Sequence, residues 1–136
     1  MLVIAAATAQ EVKIKSSEVP AGVLASAAKS FPKAQLKGWE KETKDGKTLY
    51  EVAMVEGSAK RQASFAADGT FVSSEEVVAV ASVPKAVTDA IRGKYPKAKI
   101  HSAEKITRGS EIEYEIGLKN ADKKEVLVSA DGKIVN

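Results

Sequence analysis

Few residues here are equipped for chemistry. His101 is the single histidine in 136 residues, and there is no cysteine. A Ser-His-acid triad would have to recruit His101 as its base. Aligning the chain with itself sets His101 against Lys37, which marks a variable surface position and not a base. One imidazole without a thiolate also leaves no ligand set for structural or catalytic zinc, and no disulfide. Asp-Gly occurs at Asp45-Gly46, Asp68-Gly69 and Asp131-Gly132. None has the Asp-x-Asp-x-Asp-Gly spacing that delivers several oxygens to one calcium ion, so these pairs read as turns. No glycine-rich phosphate cradle is present. The expectation is a protein that is not an enzyme, with no catalytic residue, no metal ligand and no cofactor.

What remains are residues suited to binding. Glu51 and Glu115 occupy matching places in two similar stretches. Paired carboxylates can bind a cation, or they can pair with lysines across a sheet face. Trp39 is the only tryptophan. Counting parity from Leu36 puts Trp39 on the face turned away from the core, provided that no bulge intervenes. Lys41, Leu49, Glu51 and Ala53 would then share that face, and Leu127, Lys105 and Glu115 would extend it in the second stretch. An exposed Trp beside leucines marks a partner-binding surface, because Trp is enriched at interface hot spots. The other reading is that Trp39 covers a sheet edge or packs beneath the N-terminal segment.

The elements that position these residues come in two copies. Val19-Pro20 aligns with Val83-Pro84, Phe31-Pro32-Lys33-Ala34 with Tyr95-Pro96-Lys97-Ala98, and Tyr50-Glu51 with Tyr114-Glu115. After the loss of one residue, Ala67-Asp68-Gly69 meets Ala130-Asp131-Gly132. Each copy opens with a helix. Pro20 and Pro84 suit a first helical turn, Ser17 and Ser82 are candidate caps, and Pro32 and Pro96 end the helix. Val23, Leu24, Ala27 and Phe31 recur at helical spacing, as do Val87, Ile91 and Tyr95. Helices this short are marginal alone and need a surface to pack on. Tyr50, Val52 and Met54, like Tyr114, Ile116 and Leu118, alternate with other residues, which predicts strands with one buried face. Phe65 and Val128 continue that face in the next strand, and the Asp-Gly pairs supply the positive φ of hairpin turns. Phe71 to Val80 predicts a fourth strand, Ile134-Val135 its clipped counterpart, and Glu11 to Lys15 an N-terminal strand.

Composition agrees with a single small soluble protein. Hydrophobic residues make up 44%, charged residues 29% and aromatics only 5%, so the core is aliphatic and alanine-rich. Lys and Arg number 21 against 18 Asp and Glu, with the signs interleaved. A nucleic-acid partner is not expected, because no basic face with interleaved aromatics appears. Leu2 to Ala9 is an apolar run ending Ala7-Thr8-Ala9. It is too short to span a bilayer, so stable membrane insertion is not expected. The run reads as the remnant of a secretory signal over residues 1–10, although no basic residue precedes it. A buried N-terminal strand is the alternative.

The signature of Val-Pro before a short helix, aromatic-Pro-x-Ala, a strand with Tyr-Glu-apolar, and a late Asp-Gly hairpin resembles the PepSY-like, β-lactamase-inhibitor-like domains of exported bacterial proteins. The resemblance covers both copies, and Tyr50-Glu51-Val52 and Tyr114-Glu115-Ile116 carry it most strongly. It implies an α+β fold in which each repeat packs a helix on one face of an antiparallel sheet of three or four strands, with the two sheets side by side. The repeats would span residues 11–80 and 81–136. It also implies a periplasmic or secreted protein that inhibits a protease or β-lactamase, and together with the exposed face read above the expectation is a binding protein that takes a protein or peptide on its open sheet face, as an inhibitor of an envelope enzyme. Cation binding through surface carboxylates is the alternative. The oligomeric state is left open.

Overall fold

The computed structural model describes residues 10–135, and the export segment expected over residues 1–10 lies, Gln10 apart, outside them. These residues form an α+β fold of two helices and eight antiparallel strands, in two compact units that divide between Val72 and Ser73. The first unit holds β1 (Gln10–Ile14), α1 (Ala21–Ser30), β2 (Gln35–Lys44), β3 (Lys47–Glu56) and β4 (Ala59–Ala66). β5 (Phe71–Val78) begins in the first unit and passes into the second. The second unit continues with α2 (Lys85–Lys94), β6 (Lys99–Arg108), β7 (Glu111–Lys119) and β8 (Glu125–Ser129). Strand order follows chain order, β1-β2-β3-β4 and β5-β6-β7-β8. The hairpin at Asp45-Gly46 has positive φ at both residues, 51° and 74°. A turn of that hand matches the twist of the strands it joins.

Both helices start alike. Pro20 and Pro84 are the N-cap residues, with φ, ψ of −56°, 141° and −55°, 141°, and neither helix has a side-chain cap. The expected caps therefore do not form. Ser17 lies in a 3-10 turn over Ser16–Glu18, and the Ser82 hydroxyl donates to the Ala79 carbonyl instead. Both helices stop where a proline follows. The Phe31 N–H donates to the Ala27 carbonyl and the Tyr95 N–H to the Ile91 carbonyl, and the next residue cannot continue the ladder.

Each helix buries one stripe, Val23 and Ala27 from α1 and Val87 and Ile91 from α2. In the first unit these join Val19, Trp39, Tyr50, Val52, Met54, Ala63 and Phe65 in one apolar cluster. In the second they join Val83, Ala103, Tyr114, Ile116, Leu118, Val126 and Val128. The two clusters use matching positions and distribute bulk differently. The first has Trp39 on the strand and Ala27 on the helix, whereas the second has Ala103 and Ile91. Phe65, fully buried, also meets Phe71 edge to face at 5.8 Å between ring centroids. Such a side chain contributes about 1.5–3 kcal/mol by leaving water.

The Asp-Gly turn after the last core strand presses on the start of the helix in both units. Gly69 and Gly132 have φ of 92° and 94°, which already disfavours any side chain. A Cβ at Gly69 would lie 2.8 Å from the Gly22 carbonyl oxygen, and one at Gly132 would lie 2.7 Å from that of Ala86. Glycine is thus required twice at each turn, for backbone conformation and for approach to the helix.

Candidate functional site

Register fixes which side chains face away from the helices. In the first unit β2 meets β3 with Trp39 opposite Val52 and Glu40 opposite Glu51. The pairing slips between Leu36 and Gly38, a bulge that inserts Lys37. The bulge changes parity, so Leu36 and Trp39 share one face although three positions apart. Trp39 therefore turns toward α1 and is 5% exposed within the core. The expectation of an exposed anchor is corrected accordingly. Lys41, opposite Tyr50, moves to the helix side with it. Lys105 is corrected for the same reason. A matching bulge between Ile100 and Ser102 sets it opposite Tyr114. The inserted residue there is His101, which is exposed on the strand.

Leu49, Glu51 and Ala53 do face away from α1, together with Glu11 and Lys13 of β1, Gly38, Glu40 and Glu42 of β2, and Gln62 and Ser64 of β4. Gly38 lies opposite Ala53, and this pair carries one methyl group between them. The result is a shallow groove of about 400 Å³ walled by Lys13, Lys37, Glu40, Glu51 and Gln62, with atoms of Ile14 and Trp39 also reaching it. The groove mixes both charges and amide groups, which suits the backbone and polar side chains of a peptide. Beside it, oxygens of Glu11, Glu42 and Glu51 come within 4.8 Å of one another. Sequence reasoning missed Lys13, Lys37, Glu40 and Gln62. The one available signal was Gly38, because a glycine inside a strand pattern often marks a bulge.

The same face of the second unit differs. Glu115 and Leu127 lie opposite each other on it, yet they are 9% and 7% exposed, so the expectation that both are surface groups is corrected. Ile106 on that face is also buried. Burial pushes the Glu115 carboxyl above its ordinary range, and the like charges of Glu125 and Glu104 add to this. Burial likewise raises Glu75, with Glu104 again contributing. Arg108 donates to Glu113 at 3.3 Å on the same face. Among the described residues no helix is long and apolar enough to cross a membrane.

This geometry, a short helix over an antiparallel meander, defines a known structural class. A BLIP-like protein from Bacteroides fragilis NCTC 9343 is similar at TM-score 0.70 and 16% identity, covering 87% of this chain and 84% of its own. A DUF2874 family protein from Bacteroides uniformis ATCC 8492 is similar at TM-score 0.68 and 20% identity, covering 87% of each chain. A protein from Bacteroides eggerthii DSM 20697, described as one of the "putative periplasmic proteins", is similar at TM-score 0.68 and 18% identity, covering 87% and 86%. These likenesses concern the fold. No curated protein sequence matches the chain. The family model described as "Putative beta-lactamase-inhibitor-like, PepSY-like" matches residues 48–136, so the chain belongs to that family.

Proposed function

We propose that this is an exported, non-catalytic binding protein made of two tandem PepSY-like modules, about residues 11–80 and 81–136, which seats a protein or peptide partner and inhibits an envelope enzyme. The observation that carries the reading is the groove on the first unit's sheet, open and lined by both charge signs. Its family and the BLIP-like neighbour support a protein partner, and the periplasmic description of the Bacteroides eggerthii neighbour supports export. Leu49 and Glu51 stay in the partner-binding set, and Lys13, Lys37, Glu40 and Gln62 join them. A preformed sheet loses little conformational freedom on association, which favours such a surface.

The test titrates the protein into a serine β-lactamase and into a serine protease while substrate hydrolysis is followed. Saturable inhibition of one of them is expected. The double change Glu51→Arg and Gln62→Arg should weaken it at least tenfold, about 1.4 kcal/mol, without lowering the melting temperature. Inhibition that ignores these changes would move the surface elsewhere, and inhibition of neither enzyme would remove the inhibitor reading. The second reading, a cation site, is favoured by the convergence of Glu11, Glu42 and Glu51. Calorimetry with calcium chloride separates it, since heat that disappears in Glu42→Gln is expected only for a cation site.

A further inference from the structure

We propose that two copies of this chain join edge to edge through β1, antiparallel and centred on Val12, with the two sheets running on into each other. β1 pairs with β2 along one edge, from Gln10 opposite Thr43 to Ile14 opposite Trp39. Among the described residues no strand pairs with its other edge. An open strand edge is a row of backbone donors and acceptors ready for another strand. At the far end of the strand order the chain covers its own edge. Val128 bridges Ile134, and the Val135 N–H donates to the Leu127 carbonyl. β1 has no such cover among the described residues. Val12, 57% exposed, is the most exposed of their large apolar side chains.

The occupant is identified by charge. Away from the helix β1 presents Glu11 and Lys13. A two-fold axis through Val12 sets Glu11 beside Lys13 of the partner subunit, and the same pair forms again across the axis, with valine against valine between them. An axis through Glu11 would place glutamates together, and one through Lys13 would place lysines together. Like charges directly opposite are unfavourable, so the pattern selects the Val12 register. Glu11 also stands across from Glu42, with the Glu51 carboxylate close by. Lys13 of the partner subunit brings a cation to this concentration of negative charge. The inference does not depend on the groove as the partner site.

Sedimentation equilibrium of the full chain at low salt tests it. A monomer–dimer equilibrium is expected. Glu11→Lys and Lys13→Glu should each raise the dimer dissociation constant about tenfold, because both symmetric pairs become like-charged. The two changes together should restore dimerisation, since the pairs re-form with signs exchanged. Thermal melts matching the unaltered chain confirm that the variants keep the fold. A monomer at every concentration overturns the proposal, and so does a dimer indifferent to the single changes. A dimer that forms only with calcium chloride and dissociates with chelator also overturns it, in favour of a bridging cation.

Discussion

β3 and β7 hold matching places in the two units, each between its bulged neighbour and the strand that leads to the Asp-Gly turn. β3 alternates, with Tyr50, Val52 and Met54 buried and the residues between them half-exposed. β7 is buried from Tyr114 through Leu118 without alternation. Their own sequences do not produce this contrast, since Glu51 and Glu115 match. The residues on the strands beside them do differ. Where the first unit has Glu42 and Ser64 on the side away from the helix, the second has Ile106 and Leu127. Glu115 is buried together with Ile106 and Leu127, and that burial raises its affinity for a proton. Matching positions in the two units thus carry a half-exposed face in the first and a buried one in the second, and the groove described above lies on the first.

Ile106→Ala probes the buried face most severely. It should cost about 2–5 kcal/mol through lost burial and a residual cavity, whereas Glu42→Ala at the matching place should cost under about 0.5 kcal/mol. Urea denaturation of both variants measures this, and equal losses would erase the distinction. The bulges provide a sharper contrast. The first unit sets Gly38 opposite Ala53, and the second sets Ser102 opposite Gly117. A Cβ at Gly117 would collide with the Ser102 hydroxyl and lie 3.0 Å from His101 Nε2, while one at Gly38 meets nothing within 4 Å. Gly117→Ala should therefore cost about 1–3 kcal/mol, and Gly38→Ala much less. Adding Ser102→Gly should recover most of the loss, read from the same denaturation midpoints.

The smallest effect is electrostatic. Glu75 binds its proton more tightly when folded than its ordinary value of 4.5, because burial disfavours the charged form. The folded state then holds more protons just above pH 4.5, so stability falls as the pH rises through that window. Glu75→Gln should raise the melting temperature at neutral pH by a few degrees and flatten this decline. A melting series across the acid range checks the slope, and an unchanged slope would mean that Glu75 is well solvated.

Periodicity exposed the frame because the same physical rules act twice. Proline boundaries located both helices to within a residue or two, and period-two alternation chose the buried faces of β3, β4, β7 and β8. Parity counting failed at Trp39, Lys41 and Lys105 because a bulge changes the count. Only the first bulge carries a visible sign, Gly38, while the second has Ser102 at the matching position and none. The groove was illegible for the same reason, since Lys13, Lys37, Glu40 and Gln62 come from three strands and the bulge itself. Ile106 and Leu127 were readable as apolar residues on the far side of their sheet, but alternation alone treats such residues as exposed.

The unequal bulk of the two cores constrains how the sequence can drift. Trp39 with Ala27 fills the first cluster, and Ala103 with Ile91 fills the second. To turn one arrangement into the other by single substitutions, the chain must pass through an intermediate. Ala27→Ile alone adds volume to a cluster that already holds the tryptophan, and Trp39→Ala alone removes an indole from it. Either intermediate costs several kcal/mol, a large share of the stability of a domain this small. Neutral change is therefore channelled elsewhere, and the two cores stay on separate sides of a divide that homologous exchange of a single helix between them would not cross.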